Sequence, residues 1–209
     1  MRARSLCSTL LLVALCAGCS ASGQHRKHNL RFHGGLHEPW DDVVRDLTTG
    51  DGTNKTWGIE YAYQPDRGVL GVEAGLFQSL SDGEGDSLLP GVSGGSAVAD
   101  KMMDEIHVGM HYPFQRFWGL ETDIGLGLAY IDTEISTTPD GDPEVTFQDE
   151  GFGAYARVSS MLPITDSVGI GLDLRYLAPF DRFEDTQQGL TFDTNLRQFQ
   201  ATLFLALSW

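Results

Sequence analysis

The chain reads as all-β: eight antiparallel strands, joined up-and-down and closed into a transmembrane β-barrel with a filled polar interior. Three observations carry this reading. Eight segments alternate apolar and polar residues with the period of 2 that a strand imposes. Their connections alternate strictly between short and long. Beyond the N-terminal segment, no apolar run reaches the ~20 residues a spanning helix needs, so a chain that crosses a bilayer must cross it with strands.

The elements follow in order. Residues 1–18 have the form of a secretory signal, with Arg2 and Arg4 before the apolar stretch Leu6–Leu15. The segment Leu15-Cys16-Ala17-Gly18-Cys19 resembles the lipobox of bacterial lipoproteins, although Cys16 stands where a Leu is usual. That resemblance implies a lipidated Cys19 and a tethered linker over 19–28, and Ser20 after the Cys favours the outer membrane. Ordinary cleavage after Ala21 is the alternative. All three Cys (Cys7, Cys16, Cys19) fall in this region. The domain over 29–209 therefore has no internal disulfide and no Cys-based metal or nucleophile site.

The first strand is expected over Asn29–His37 and the second over Thr56–Gln64, where Trp57, Ile59, Tyr61 and Tyr63 share a side. The third, Val69–Phe77, sets Leu70, Val72, Ala74 and Leu76 against Gly71, Glu73 and Gly75. The fourth is Glu105–Tyr112, the fifth Gly119–Asp132, the sixth Asp149–Met161 and the seventh Val168–Leu177. The eighth, Phe199–Trp209, is the clearest. Phe199, Ala201, Leu203, Leu205, Leu207 and Trp209 lie on one face, with Gln198, Gln200, Thr202, Phe204, Ala206 and Ser208 on the other. Segments of ~10 residues suit a tilted membrane-crossing strand.

The short connections follow the second, fourth and sixth strands, and suit periplasmic turns when both termini are periplasmic. The long ones, 39–54, 80–102, 133–148 and 179–193, become external loops. They hold 16 acidic residues against Arg45, Lys101 and Arg182, a net −13 out of the chain's −15. That balance argues against nucleic-acid binding, which needs clustered Lys and Arg. Ser81–Gly95 reads as a mobile loop tip. Asp82-Gly83-Glu84-Gly85-Asp86 and Asp140-Gly141-Asp142-Pro143-Glu144 read as solvated acidic loops, since neither has EF-hand spacing. Tyr63, Tyr112, Phe114, Phe117, Trp118 and Trp209 collect at the proposed periplasmic ends, and Trp57, Tyr130, Phe152 and Phe180 suit an outer girdle.

The polar faces carry Glu60, Glu73, Glu105, Glu121, Asp123 and Asp173, together with Arg31, Arg157 and Arg175. An eight-stranded barrel is only wide enough for side chains to fill. Charges inside it must pair, because an isolated buried charge is very costly. A lumenal charge network is expected, closing the interior rather than opening a wide pore. His33, His37, His107 and His111 also point inward. His107 and His111, four residues apart on a strand, are ~13 Å apart and cannot share one metal ion directly. Neither a metal nor a cofactor is expected.

Strand count, alternating connections and the terminal strand together resemble the small eight-stranded outer-membrane barrels of the OmpA- and OmpX-like group. The resemblance covers 29–209. It implies residence in the bacterial outer membrane and contact with its lipid and lipopolysaccharide. It also implies that Phe199, Leu203, Leu205, Leu207 and the aromatic C-terminus Trp209 are read by the barrel-assembly machinery. Roles differ within the group, so the fold leaves function open. The expectation is a structural or surface-interaction protein whose external partner is unknown. One alternative is a barrel enzyme acting on lipid A or phospholipid. Deacylases of the PagL type carry a His and Ser on the penultimate strand; here Arg175 stands about where that His would fall and no Ser follows. Without an imidazole beside a hydroxyl, that mechanism lacks its parts. The other alternative is a narrow passive channel.

Overall fold

The computed structural model describes residues 27–39, 54–65, 70–86, 96–113, 119–139, 145–187, 190–194 and 196–209. The signal segment, Cys19 and the linker up to residue 26 lie outside them, as do Asp140–Glu144 and the aromatics Phe114, Phe117 and Trp118. Ten strands are present among the described residues: β1 (Lys27–Pro39), β2 (Asn54–Gln64), β3 (Gly71–Asp86), β4 (Ser96–Pro113), β5 (Glu121–Pro139), β6 (Val145–Pro163), β7 (Val168–Pro179), β8 (Phe183–Gln187), β9 (Leu190–Thr194) and β10 (Gln198–Ser208). Eight of them close into one barrel in the order β1-β10-β7-β6-β5-β4-β3-β2, with every neighbouring pair antiparallel. The remaining pair, β8 and β9, forms a separate hairpin.

Closure removes the free edges that an open sheet would leave unpaired. The seam joins β1 to β10, running from Asn29↔Ser208 to Pro39↔Gln198. Two backbone bonds finish it: His28 N donates to Trp209 O at 3.0 Å and Trp209 N to His28 O at 3.1 Å. The His28 ring stacks on Trp209 with centroids 5.7 Å apart. Lys27 and His28 thus belong to β1 rather than to a linker.

Outward faces are apolar. Leu36, Val108, Leu126, Leu128, Phe152 and Leu203 are all exposed, Leu203 by 68%. So is the apolar row of β10: Phe199, Leu203, Leu205, Leu207 and Trp209. A soluble domain rarely leaves a contiguous apolar surface of this size in water. Hydrocarbon is its natural solvent.

Three expected loops are largely strand, the one over 179–193 because it holds the β8–β9 hairpin. β3 runs on to Asp86 and β4 begins at Ser96, so Asp82–Asp86 pairs with Ser96–Asp100 instead of forming a loop tip. Residues 133–139 and 145–148 likewise belong to β5 and β6, paired from Thr133↔Asp149 to Thr137↔Val145. As a result β3–β6 have 16–19 residues, against 11–13 in β1, β2, β7 and β10. The difference corresponds to ~20 Å of strand. Four strands on one side of the barrel project past the rest.

Glycine lets bulky lumenal side chains lie against the wall. A Cβ at Gly171 would sit 2.3 Å from Phe204 Cζ and 2.4 Å from the Ser160 carbonyl oxygen, whereas one at outward-facing Gly34 meets nothing within 4 Å. Gly171→Ala is expected to destabilise the barrel by about 1–3 kcal/mol through overpacking. Gly34→Ala is expected to be neutral or slightly stabilising. Urea unfolding of both variants checks the contrast; equal midpoints would refute it.

Candidate functional site

Two regions concentrate the chemistry: the charged interior and the projecting four-stranded extension.

The interior is organised around Arg157 on β6, whose side chain is wholly buried. Its Nε donates to Glu73 Oε1 at 3.0 Å and its Nη2 to Glu73 Oε2. Nη1 lies 2.8 Å from Asp123 Oδ1 and 3.2 Å from Asp173 Oδ2, and Nη2 lies 3.5 Å from Glu60 Oε1. One guanidinium thus meets four carboxylates drawn from β2, β3, β5 and β7. Its planar fork of five donors suits such a role. Arg31 bridges two of the same acids, with Nη1 3.0 Å from Glu60 Oε1 and Nη2 2.9 Å from Asp123 Oδ2. Ser159 Oγ donates to Asp123 Oδ2 at 2.9 Å.

Arg175 forms a second centre. Nη2 pairs with Glu105, and Nη1 donates to His107 Nδ1 at 3.2 Å. The guanidinium also lies over the rings of Tyr155 (4.1 Å) and Phe77 (4.9 Å). Tyr155 donates its hydroxyl proton to Glu73 Oε1 at 2.7 Å, linking the two centres. The expected residues Arg31, Glu60, Glu73, Glu105, Asp123, Arg157, Asp173 and Arg175 are all brought together and buried. Glu121 sits half-buried at the end of β5. The four histidines are buried too, but they do not pair with one another. His33 contacts Thr202, Phe77 and Phe204, and His37 contacts Ser81. His107 lies between Glu60 and Glu105, and His111 lies beside Glu73. Among the described residues no group of His, Cys, Asp and Glu could hold a metal ion.

Along the extension the polarity of the wall reverses. On β5 the outward residues Ile124, Leu126, Leu128 and Tyr130 give way to Asp132 and Glu134, while the inward series changes from Asp123, Gly125 and Gly127 to Ile131, Thr133 and Ile135. On β4 Ile106 gives way to Asp104, and on β6 Phe152 gives way to Glu150. Register places these three acids side by side, Asp104↔Asp132↔Glu150. Burial, then the neighbouring charges of Asp104, Glu150 and Glu134, push the Asp132 carboxyl above its ordinary value. Inside, Met103, Ala129, Ile131, Tyr155 and Leu177 pack as an apolar cluster. This is the pattern of a strand surrounded by water, with its apolar side turned inward.

Lys101, assigned by sequence to an external loop, is instead an inward residue of β4, 2% exposed and paired in register with Ser81 and Ile135. It lies beyond Asp104, the first charged residue on the outward face of β4, a face that also carries the exposed Met102. Its Nζ has no hydrogen-bond partner among the described residues. Burial lowers its ammonium from 10.5 to about 8.

The closed eight-stranded antiparallel wall, apolar outside and charged within, defines the outer-membrane β-barrel fold. Among solved structures, the chain is similar to a major outer membrane protein from Thermus thermophilus, with a TM-score of 0.61 and 11% identity over 89% of this chain and 100% of that one. It is also similar to OprG from Pseudomonas aeruginosa (TM-score 0.56, 10% identity, 88% and 97% covered) and to Neisserial surface protein A (0.52, 9%, 89% and 98%). At these identities the likeness shows the fold alone. No family model matches the sequence, and no curated protein matches it.

Proposed function

We propose that the protein is a structural and surface-interaction barrel of the bacterial outer membrane, with both termini periplasmic and the β3–β6 extension outside the cell. The reversal of polarity along β5 and β6 is the observation that supports this: past Tyr130 and Phe152 the outward residues are Asp132, Glu134, Glu150 and Gln148, which suit water rather than hydrocarbon. Asp104, Asp132, Glu134 and Glu150 then stand where lipopolysaccharide phosphates meet the barrel. Like charges repel across that boundary unless divalent cations lie between them. Lipopolysaccharide, bridged by Mg²⁺ or Ca²⁺, is the partner this surface suits. The narrower likeness to the OmpA- and OmpX-like group is part of the same reading, as is recognition of the β10 face by the assembly machinery. The role is non-catalytic: the chemistry-bearing side chains of the interior are tied to one another.

Titrating Mg²⁺ into the purified barrel in lipopolysaccharide is expected to raise its thermal midpoint. The variant D104N/D132N/E134Q/E150Q is expected to lose that response while keeping its fold. A midpoint indifferent to Mg²⁺, or an unchanged response in the variant, would overturn the reading.

A further inference from the structure

The outer ends of the strands do not all carry the same charge. β4, β5 and β6 turn Asp104, Asp132, Glu134 and Glu150 outward. Across the barrel, around the seam of β10, β1 and β2, the pattern differs. Lys55 is exposed and is the next outward residue of β2 after Trp57. Arg197 is exposed and directly precedes β10, two residues before the exposed Phe199. Glu38 on β1, opposite Phe199, is the one acid among the described exposed residues at this end of the three strands. Two cations against one acid give this face a formal net charge of +1, in a chain whose total is −15.

Register surrounds Lys55 with hydrocarbon. Leu36 pairs with Lys55, and Lys55 with Leu80, so it stands between two exposed leucines. Along β2 its outward neighbour is Trp57, 53% exposed. Leu36 also pairs with Ala201 of β10, one outward position from Phe199, which carries the face across the seam. No carboxylate stands beside Lys55 in this row. The next outward acids on the flanking strands, Glu38 and Asp82, each lie one outward position further from the apolar belt. Aromatic residues such as Trp57 favour the boundary between hydrocarbon and headgroups. There the dielectric is lower than in water, so a cation gains more from an anion brought to it.

The partner such a face fits is an amphipathic anion. An inorganic anion leaves Leu36, Trp57 and Phe199 uncovered, and a zwitterionic lipid already balances its own charge. We propose that this face binds lipid A directly, with a phosphate held by Lys55 and Arg197 and an acyl chain lying along Leu36, Trp57 and Phe199. The inference rests on the reading above, which sets the extension outside the cell and lipopolysaccharide around it, and it deepens that reading. The acidic side of the barrel needs a divalent cation to meet a phosphate; the seam side needs none.

The test uses the whole barrel in phosphatidylcholine nanodiscs with excess EDTA, and counts bound lipid A by native mass spectrometry. Lipid A is expected to bind saturably without divalent cations. Dephosphorylated lipid A, which keeps the chains and loses the anion, is expected to bind about tenfold or more weakly, as the loss of a charge-assisted hydrogen bond implies. Inorganic phosphate at ~1 mM, a concentration that would saturate a micromolar site, is expected not to compete. K55Q/R197Q is expected to weaken lipid A about tenfold or more. K55R/R197K keeps both charges and is expected to retain binding. The altered side chains are exposed, so urea midpoints of both variants should match wild type. Absence of binding in EDTA, equal binding of dephosphorylated lipid A, or full affinity in K55Q/R197Q would overturn the proposal. The Mg²⁺ response is read on separate samples without EDTA. Its absence refutes the bridging and leaves this contact standing, and failure of the EDTA-resistant binding leaves the bridging standing.

Discussion

Replacing Arg157 by methionine is expected to destabilise the barrel by about 3–5 kcal/mol, the usual cost of removing one partner from a buried ionic network. The reason is geometric. Arg157 is the guanidinium common to Glu60, Glu73, Asp123 and Asp173. Its loss leaves Glu73 with Tyr155 and His111, and leaves Asp173 without its 3.2 Å partner. Carboxylates buried without a counter-charge are far costlier than a missing pair. Two companions separate charge from packing. Arg157→Lys keeps the charge but loses the planar fork, and is expected to fall between wild type and R157M. Adding Glu73→Gln to R157M removes one stranded charge and is expected to recover part of the loss. Urea unfolding in lipid vesicles measures all three. A loss below about 1 kcal/mol for R157M would show that the network contributes no more than exposed ion pairs do.

Lys101→Met should act in the opposite direction. The Lys101 ammonium is buried with no partner for Nζ among the described residues, and burial lowers it from 10.5 to about 8. A difference of that size corresponds to about 3 kcal/mol, so K101M is expected to gain up to that amount at pH 7. The sign with pH follows from proton counting. Below about 8 both native and unfolded chains hold the proton, and the native state bears the whole cost of burying it. Between about 8 and 10.5 the native chain releases the proton first, so the unfolded state binds more protons and wild-type stability rises with pH. The gap between wild type and K101M should therefore shrink across that window and close at its top. Urea midpoints of the pair at pH 7, 9 and 10.5 check this. Equal midpoints at pH 7, or a gap that ignores pH, would show that Lys101 is compensated in the native protein.

The two sites differ in how far the chain announces them. Which residues face inward is legible, because each face of a spanning strand meets one environment and writes a period of 2. Glu60, Glu73, Arg157 and Arg175 occupy the polar positions of that pattern. Their partners are not legible. Arg157 and Glu73 are 84 residues apart, and Arg31 and Ser159 are 128 apart. Such contacts cross the lumen, and only the closed register brings them within 3–4 Å. Tyr155 shows the same limit: its inward position is readable, but its place between Arg175 and Glu73 depends on the barrel's diameter.

The ends of β3–β6 escape a sequence reading for a physical reason. Acidic residues such as Asp82, Asp100 and Glu134 suggest a loop if outward positions are always apolar. Once a strand leaves hydrocarbon for water, its preferred faces exchange, and Asp132 outward with Ile131 and Ile135 inward is the expected pattern of the same strand. That assumption hides Lys101. Sequence by itself determined the strand class, the antiparallel barrel and the inward charges, because alternation records the solvent on each side of a residue. The tertiary structure alone decided which guanidinium holds which carboxylate and which lysine is buried with no hydrogen-bond partner among the described residues. Those depend on register and on unequal strand lengths, and neither leaves a trace in a local period.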